Sequence, residues 1–137
     1  MRVRFAFALA VTCLAAGAAQ AQSGGMMMSN HHIVVIDIAM SDFAFTPDKL
    51  DLAAGSQYEL HFTNAGTKSH DFTSPEFFAA VTVAPQDRAK VSKGAVEVEG
   101  GETVDVRITA GKRGTYPFHC SHFMHSTFGM TGNAVIE

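Results

Sequence analysis

The stretch YPFHCSHFMHSTFGMTG, residues 116–132, concentrates side chains that can bind a metal ion. It contains one cysteine, three histidines and two methionines. Cys120, His125 and Met130 follow one another with four residues between each pair, so one loop could direct a thiolate, an imidazole and a thioether at a single point. Thiolate and thioether sulfur favour Cu(I), whereas imidazole binds both Cu(I) and Cu(II). Taken singly, Cys120 could be a core residue and Met130 a gap filler, but their joint spacing predicts a copper site.

A trigonal site of this kind needs a second histidine from elsewhere in the chain. His70 supplies it, in the segment NAGTKSHDF, which reads as a loop after a strand about 50 residues before Cys120. His61 lies between two apolar residues of an alternating segment, so it should point to the surface. His119 adjoins Cys120 and should face the other way, in a structural or exposed position.

His122 competes with His125 for the site, because it stands only two residues after Cys120. In an extended chain it would lie roughly 6.5 Å further along, at about 3.3 Å per residue, which does not exclude it. His125 allows the loop to fold back over the metal and places Met130 at an equal further interval. We assign His125 as the ligand and His122 to the rim, where it could take protons or a second, weaker copper.

Period-two alternation over most of the chain predicts half-buried strands separated by glycine-rich turns. The sequence therefore predicts an all-β sandwich or barrel with one short helix, PEFFAA at 75–80, which opens on a proline. Residues 83–94 have no strong period and read as a surface excursion. The predicted strands are 33–39, 49–52, 58–63, 95–99, 104–109, 116–120 and 133–137. The predicted core consists of Phe43, Phe45, Leu60, Phe62, Val106, Ile108 and Phe118.

The first residues have the pattern of a secretory signal peptide, with two arginines, a short apolar run and Ala19-Gln20-Ala21. A transmembrane anchor is the weaker alternative, because the run is short and rich in alanine. We expect three parts: a signal peptide at 1–21, a flexible leader at 22–32 and one domain at 33–137. Cleavage would remove Cys13 and leave Cys120 without a partner in the same chain. It would also leave 8 basic and 13 acidic residues, a net charge of −5, with no nucleic-acid footprint.

The chain resembles the cupredoxins, small blue-copper proteins similar to plastocyanin and azurin. The resemblance rests on FAFTPDKLDLAAG (43–55), the loop at 64–70 and Cys-x4-His-x4-Met. It implies a Greek-key sandwich of about eight strands and one type 1 copper held by His70, Cys120, His125 and Met130. In similar cupredoxins the residue after the first histidine ligand is often an asparagine that ties the two ligand loops together. Asp71 stands here in that place, where its carboxylate could accept from the Ser121 hydroxyl or a backbone N–H.

Three classes of function are compatible with such a site. The first is a periplasmic electron shuttle, with Phe123, Met124 and Phe128 as an apolar docking patch for a redox partner such as a cytochrome or a copper enzyme. The second is copper storage, delivery or resistance. It is favoured by Met26–Met28 and His31–His32 in the leader, which could bind a second copper, although a disordered tail explains these residues as well. The third, a copper enzyme, fits poorly because the chain has one domain. We expect a monomer that is not an enzyme and has no stable membrane association.

Overall fold

The protein is a sandwich of two five-stranded β-sheets, as the alternating sequence predicts. The computed structural model describes residues 32–125 and 127–137. The predicted signal peptide and residues 22–31 of the predicted leader lie outside this part of the chain. The strands are β1 (Val34–Ser41), β2 (Ala44–Thr46), β3 (Lys49–Leu52), β4 (Gln57–Asn64), β5 (His70–Thr73), β6 (Thr82–Val83), β7 (Ala95–Val98), β8 (Thr103–Thr109), β9 (Gly114–His119) and β10 (Thr131–Ile136).

The chain passes repeatedly from one sheet to the other. The first sheet has the order β2-β1-β4-β8-β6 and the second has the order β3-β10-β9-β5-β7. Successive strands change sheet everywhere except at the β1–β2 and β9–β10 hairpins, which gives the crossing connections expected of a Greek-key sandwich. Within the second sheet β5 lies beside β9, so residues that follow β9 come close to the start of β5.

The core lies between the sheets and is formed by the inward side chains of the alternating strands. All but one of the predicted core residues are buried there. Phe43 is the exception, since its side chain is 43% exposed. It occupies the turn between β1 and β2 with a left-handed φ of 66°, which turns its ring out of the core and against His125 and Phe128. The placement of Phe43 in the core was therefore wrong.

The predicted helix is present as α1 (Pro75–Ala80), and its position is fixed by Ser74. The Ser74 hydroxyl accepts a hydrogen bond from the Phe77 N–H at 3.4 Å and donates one to the Pro117 carbonyl of β9 at 2.7 Å. Residues 83–94 are more ordered than the predicted surface excursion, because they contain a 3-10 helix (Pro85–Lys90). Asp87 anchors it to β8 by accepting from the Arg107 N–H at 3.0 Å.

Three short strands, β2, β5 and β6, were not predicted from the sequence, and each has at most four residues. The miss at β5 matters for the site, because His70 was expected in a loop and is instead the first residue of this strand. Among the described residues, no helix has the length and apolar character needed to cross a membrane.

Candidate metal centre

Three of the four predicted ligands meet at one end of the sandwich. His70 begins β5, Cys120 follows the last residue of β9, and His125 lies in the 120–130 loop that leads into β10. β5 and β9 are antiparallel neighbours that pair at Thr73 and His119. The chain after His119 therefore runs back along β5, which brings Cys120 close to His70. The loop then folds His125 back over both residues.

The donor atoms converge at distances that suit a bound ion. The Nδ1 atoms of His70 and His125 are 3.2 Å apart, and Cys120 Sγ is 3.3 Å from His125 Nδ1. Two nitrogen ligands each about 2.05 Å from a tetrahedral ion would lie about 3.3 Å apart. One ligand atom from each of the three residues lies within 4.8 Å of the others. The donor set therefore fits a copper ion in both chemistry and spacing.

Met130, the fourth predicted ligand, is tied to the other loop residues through its backbone. Its carbonyl accepts from the Cys120 N–H at 3.1 Å, and its N–H donates to the His125 carbonyl at 3.0 Å. The side chain is fully buried. These contacts hold Met130 beside Cys120 and His125, while its ligation through sulfur stays a prediction.

His70 is fully buried, and its surroundings favour the neutral imidazole that a metal requires. Burial lowers the pKa of His70, the neighbouring His125 lowers it further, and the Asp42 carboxylate opposes the shift. With Nδ1 directed to the site, Nε2 faces Asp42 Oδ1 at 3.4 Å and has no hydrogen-bond partner among the described residues. Ligating histidines commonly direct their second ring nitrogen at a carboxylate, which fixes the tautomer. Sequence reasoning missed Asp42 because nothing in its local pattern marks it.

Cys120 lies in a fully buried pocket, and its surroundings shift the pKa of its thiol. Burial raises the pKa of the thiol, while backbone hydrogen bonds from Asp71 and His122 act in the opposite direction. The carboxylates of Asp71 and Glu97 raise the pKa of Cys120 further. Because the metal-binding form is the thiolate, a bound cation would supply the positive charge that the pocket itself lacks.

The predicted contact between Asp71 and Ser121 is confirmed. Asp71 is 3% exposed, and its Oδ1 accepts from the Ser121 N–H at 2.8 Å and from the Thr73 hydroxyl at 2.8 Å. The Ser121 hydroxyl donates to Asp71 Oδ2. Asp71 thus joins the strand that carries His70 to the loop that carries Cys120.

Three other histidines lie outside the group of converging donors, although the His122 ring is 5.9 Å from the His125 ring between centroids. His122 Nε2 lies 2.9 Å from Glu97 Oε1 and 3.7 Å from Asp71 Oδ2, on the outer face of the second sheet. His61 is on the outer face of the first sheet, where it pairs with Asp105 at 2.5 Å, so the surface position predicted for it is confirmed. His119 is partly buried and pairs with Thr131 of β10.

Replacing Asp71 should weaken metal binding without removing any ligand. We expect Asp71→Ala to lower copper affinity by about 10- to 100-fold, because the Ser121 N–H and hydroxyl lose their acceptor and the ligand loop loosens. Asp71→Asn is the matched control, since its amide oxygen can still accept from the Ser121 N–H, and it should bind copper more tightly than the alanine variant. Competition with a copper chelator measures both affinities. Equal affinity in Asp71→Ala and the wild type would contradict this role.

Comparison with known proteins agrees with the fold. Residues 5–136 match the sequence profile described as a cupredoxin-like domain. No curated protein matches the chain in sequence.

Several solved structures share the fold. Dithionite-reduced auracyanin from Roseiflexus castenholzii is 20% identical with a TM-score of 0.57, over 76% of this chain and 97% of that one. Auracyanin A, a "blue" copper protein from Chloroflexus aurantiacus, is 23% identical with a TM-score of 0.55, over 76% and 98%. A blue copper oxidase from Nitrosomonas europaea is 20% identical with a TM-score of 0.58, over 76% of this chain and 38% of that one. These identities show the fold alone, but the family profile covers nearly the whole chain, and the chain therefore belongs to the cupredoxin-like family.

Proposed function

We propose that this protein binds one copper ion per chain through His70, Cys120, His125 and Met130 and transfers electrons in the periplasm. The observation that carries the proposal is the convergence of two imidazole Nδ1 atoms and one thiol sulfur at the edge of a buried pocket. Copper is the metal that the family implies. When bound, it would supply a centre that accepts and releases one electron.

The side chains around the site suit a one-electron carrier. Thiolate and thioether sulfur favour Cu(I), and neutral imidazole accepts both oxidation states, so neither state is strongly preferred. His70, Cys120 and Met130 are fully buried, which excludes water from most of the donor set. Asp71 and the strand ends hold the donors in place, so little has to move when the charge changes.

An apolar patch surrounds His125, the most exposed of the proposed ligands. Phe123 is 90% exposed, Phe128 58%, Phe43 43% and Met124 42%. The Phe43 ring meets the edge of the His125 imidazole, with 5.5 Å between ring centroids. Small exposed apolar patches suit brief contacts between redox proteins, since they exclude water without locking the partners together. We propose that a cytochrome or a copper enzyme docks here and exchanges electrons through His125.

We also propose that the protein is an electron carrier and not an enzyme, and that the signal peptide at 1–21 directs its export. The similarity to the copper oxidase supports no enzymatic role, because it reaches only 38% of that chain. Copper storage or delivery is the second candidate. It rests on the methionines and histidines at 26–32, nearly all of which lie outside the described residues.

Visible colour and copper content test the ligand assignment. We expect the wild type to bind one copper and to show copper–thiolate absorption, and Cys120→Ser to lose that colour. His125→Ala should remove or grossly shift the absorption, whereas His122→Ala should keep it because the His122 imidazole faces Glu97. Elemental analysis and visible spectra measure both properties. A coloured Cys120→Ser variant, or the reverse behaviour of the two histidine variants, would show that the assignment is wrong.

Met130→Leu tests the fourth ligand. We expect this variant to keep copper but change its reduction potential, because an axial thioether tunes the metal more than it holds it. Met124→Leu is the control, since Met124 lies on the exposed side of the same loop and its replacement should leave the potential unchanged. Redox titration followed by visible absorption gives the potentials. Complete loss of copper from Met130→Leu would make the methionine a primary ligand, and an unchanged potential would remove it from the site.

Electron exchange and copper release separate the shuttle from the copper carrier. We expect electron exchange with a small c-type cytochrome to be much faster than copper loss to a chelator. Phe123→Ser should slow the exchange by about tenfold or more by weakening docking, with copper loss unchanged. Val35→Ser is the control, because Val35 is also apolar and 53% exposed but lies near the start of β1, whereas Phe43 of the apolar patch follows the end of that strand. Rapid copper release together with slow electron exchange would instead support storage or delivery.

A further inference from the structure

A second cluster of metal-binding side chains lies on the outer face of the same strands. Asp71 on β5 and Glu97 on β7 are directly opposite each other in the antiparallel ladder. The His122 imidazole lies over this pair, with Nε2 at 2.9 Å from Glu97 Oε1 and 3.7 Å from Asp71 Oδ2. One ligand atom from each of the three residues lies within 4.8 Å of the others.

The carboxylates of Asp71 and Glu97 repel each other across the two strands, so a positive charge beside them would stabilise the sheet. Like charges directly opposite each other on neighbouring strands destabilise a sheet. The hydrogen bonds to Asp71 come from neutral groups, the Ser121 amide and the Ser121 and Thr73 hydroxyls. Within the part of the chain that is described, neither Asp71 nor Glu97 forms an ion pair with a lysine or an arginine. His122 is the only basic side chain paired with them there.

The three donors have the chemistry of a zinc-type site. An imidazole nitrogen and carboxylate oxygens bind Zn²⁺ at about 2.0 to 2.2 Å, which brings ligand atoms to roughly the separations seen here. Asp71 is nearly buried, whereas the side chains of Glu97 and His122 are 49% and 35% exposed, so an ion can enter from solvent and keep water on its open positions. We propose that Asp71, Glu97 and His122 bind a divalent cation of this type.

The cation site is connected to the segment that carries Cys120. Asp71 accepts hydrogen bonds from the N–H and hydroxyl of Ser121, the residue that follows Cys120, and His122 is the next residue along the chain. A divalent ion there would neutralise the two carboxylates close to the thiolate. Positive charge near the thiolate favours Cu(I), so binding should raise the reduction potential of the copper. This effect rests on the proposed copper function, whereas the cation site itself does not.

Zinc binding by the full mature chain tests the site. Equilibrium dialysis against Zn²⁺ compares the wild type with Glu97→Gln, His122→Ala and the control His61→Ala. His61 pairs with a single carboxylate on the other sheet, so its loss should not change the count. We expect the wild type and His61→Ala to bind one more zinc per chain than the other two variants. Zinc held at the His70, Cys120 and His125 donors or at the leader contributes equally to all four proteins and cancels.

The two parts of the proposal fail in different ways. Equal zinc binding by all four folded proteins, with folding checked by circular dichroism, would overturn the cation site, whatever the fate of the copper proposal. If the site is present, added zinc should shift the copper potential upward in the wild type and not in Glu97→Gln. An unchanged wild-type potential with zinc bound would overturn the coupling and leave the copper assignment intact.

Discussion

The Asp71 carboxylate is the interaction on which the metal centre depends. β5 and β9 pair only at Thr73 and His119, and the Ser121 N–H and hydroxyl extend this link toward His70 by donating to Asp71. A buried charge is costly unless it is well hydrogen-bonded, and three donors satisfy it here. The Asp71 carboxylate also raises the pKa of the nearby Cys120 thiol. One side chain thereby links the two segments that carry the donors and adds negative charge near the sulfur.

Much of the architecture could be predicted because strands that face a core on one side alternate strictly. Leu60, Phe62, Val106 and Ile108 are buried as this rule requires. The rule fails for β2 and β6, since three and two residues are too few to display a period. It fails for β5 because residues 70–72 are all buried, so this strand does not alternate. It also fails for Phe43, whose left-handed backbone turns an apolar side chain outward. The burial of a residue in a turn is set by backbone conformation, which the hydrophobic pattern does not report.

The candidate site shows the same division between local and distant information. Spacing within one loop was enough to predict Cys120, His125 and Met130 as ligands, and the resemblance to cupredoxins led us to expect contact between Asp71 and Ser121. Asp42 and Glu97 were missed because each reaches the site from a separate strand or turn. From the sequence alone, both residues have the pattern of ordinary acidic surface residues. Only the pairing of β5 with β7 and the return of the β1–β2 turn toward His70 give them a role.

The 120–130 loop contributes side chains to two kinds of surface. Its apolar side holds Phe123 and Phe128, which leave His125 only partly covered. Met124 adopts a left-handed φ of 66° there, a conformation that costs a side-chain residue more than it costs glycine. The other side holds His122 against Glu97 and Asp71. The apolar patch and the charged cluster consist of different side chains, so a protein and a cation that bind as proposed above would not compete for the same atoms. Each surface includes a residue in contact with the donor segments, because Phe43 packs against the His125 ring and Asp71 accepts from the Ser121 N–H beside Cys120. Binding at either surface would therefore act on the metal by its own route.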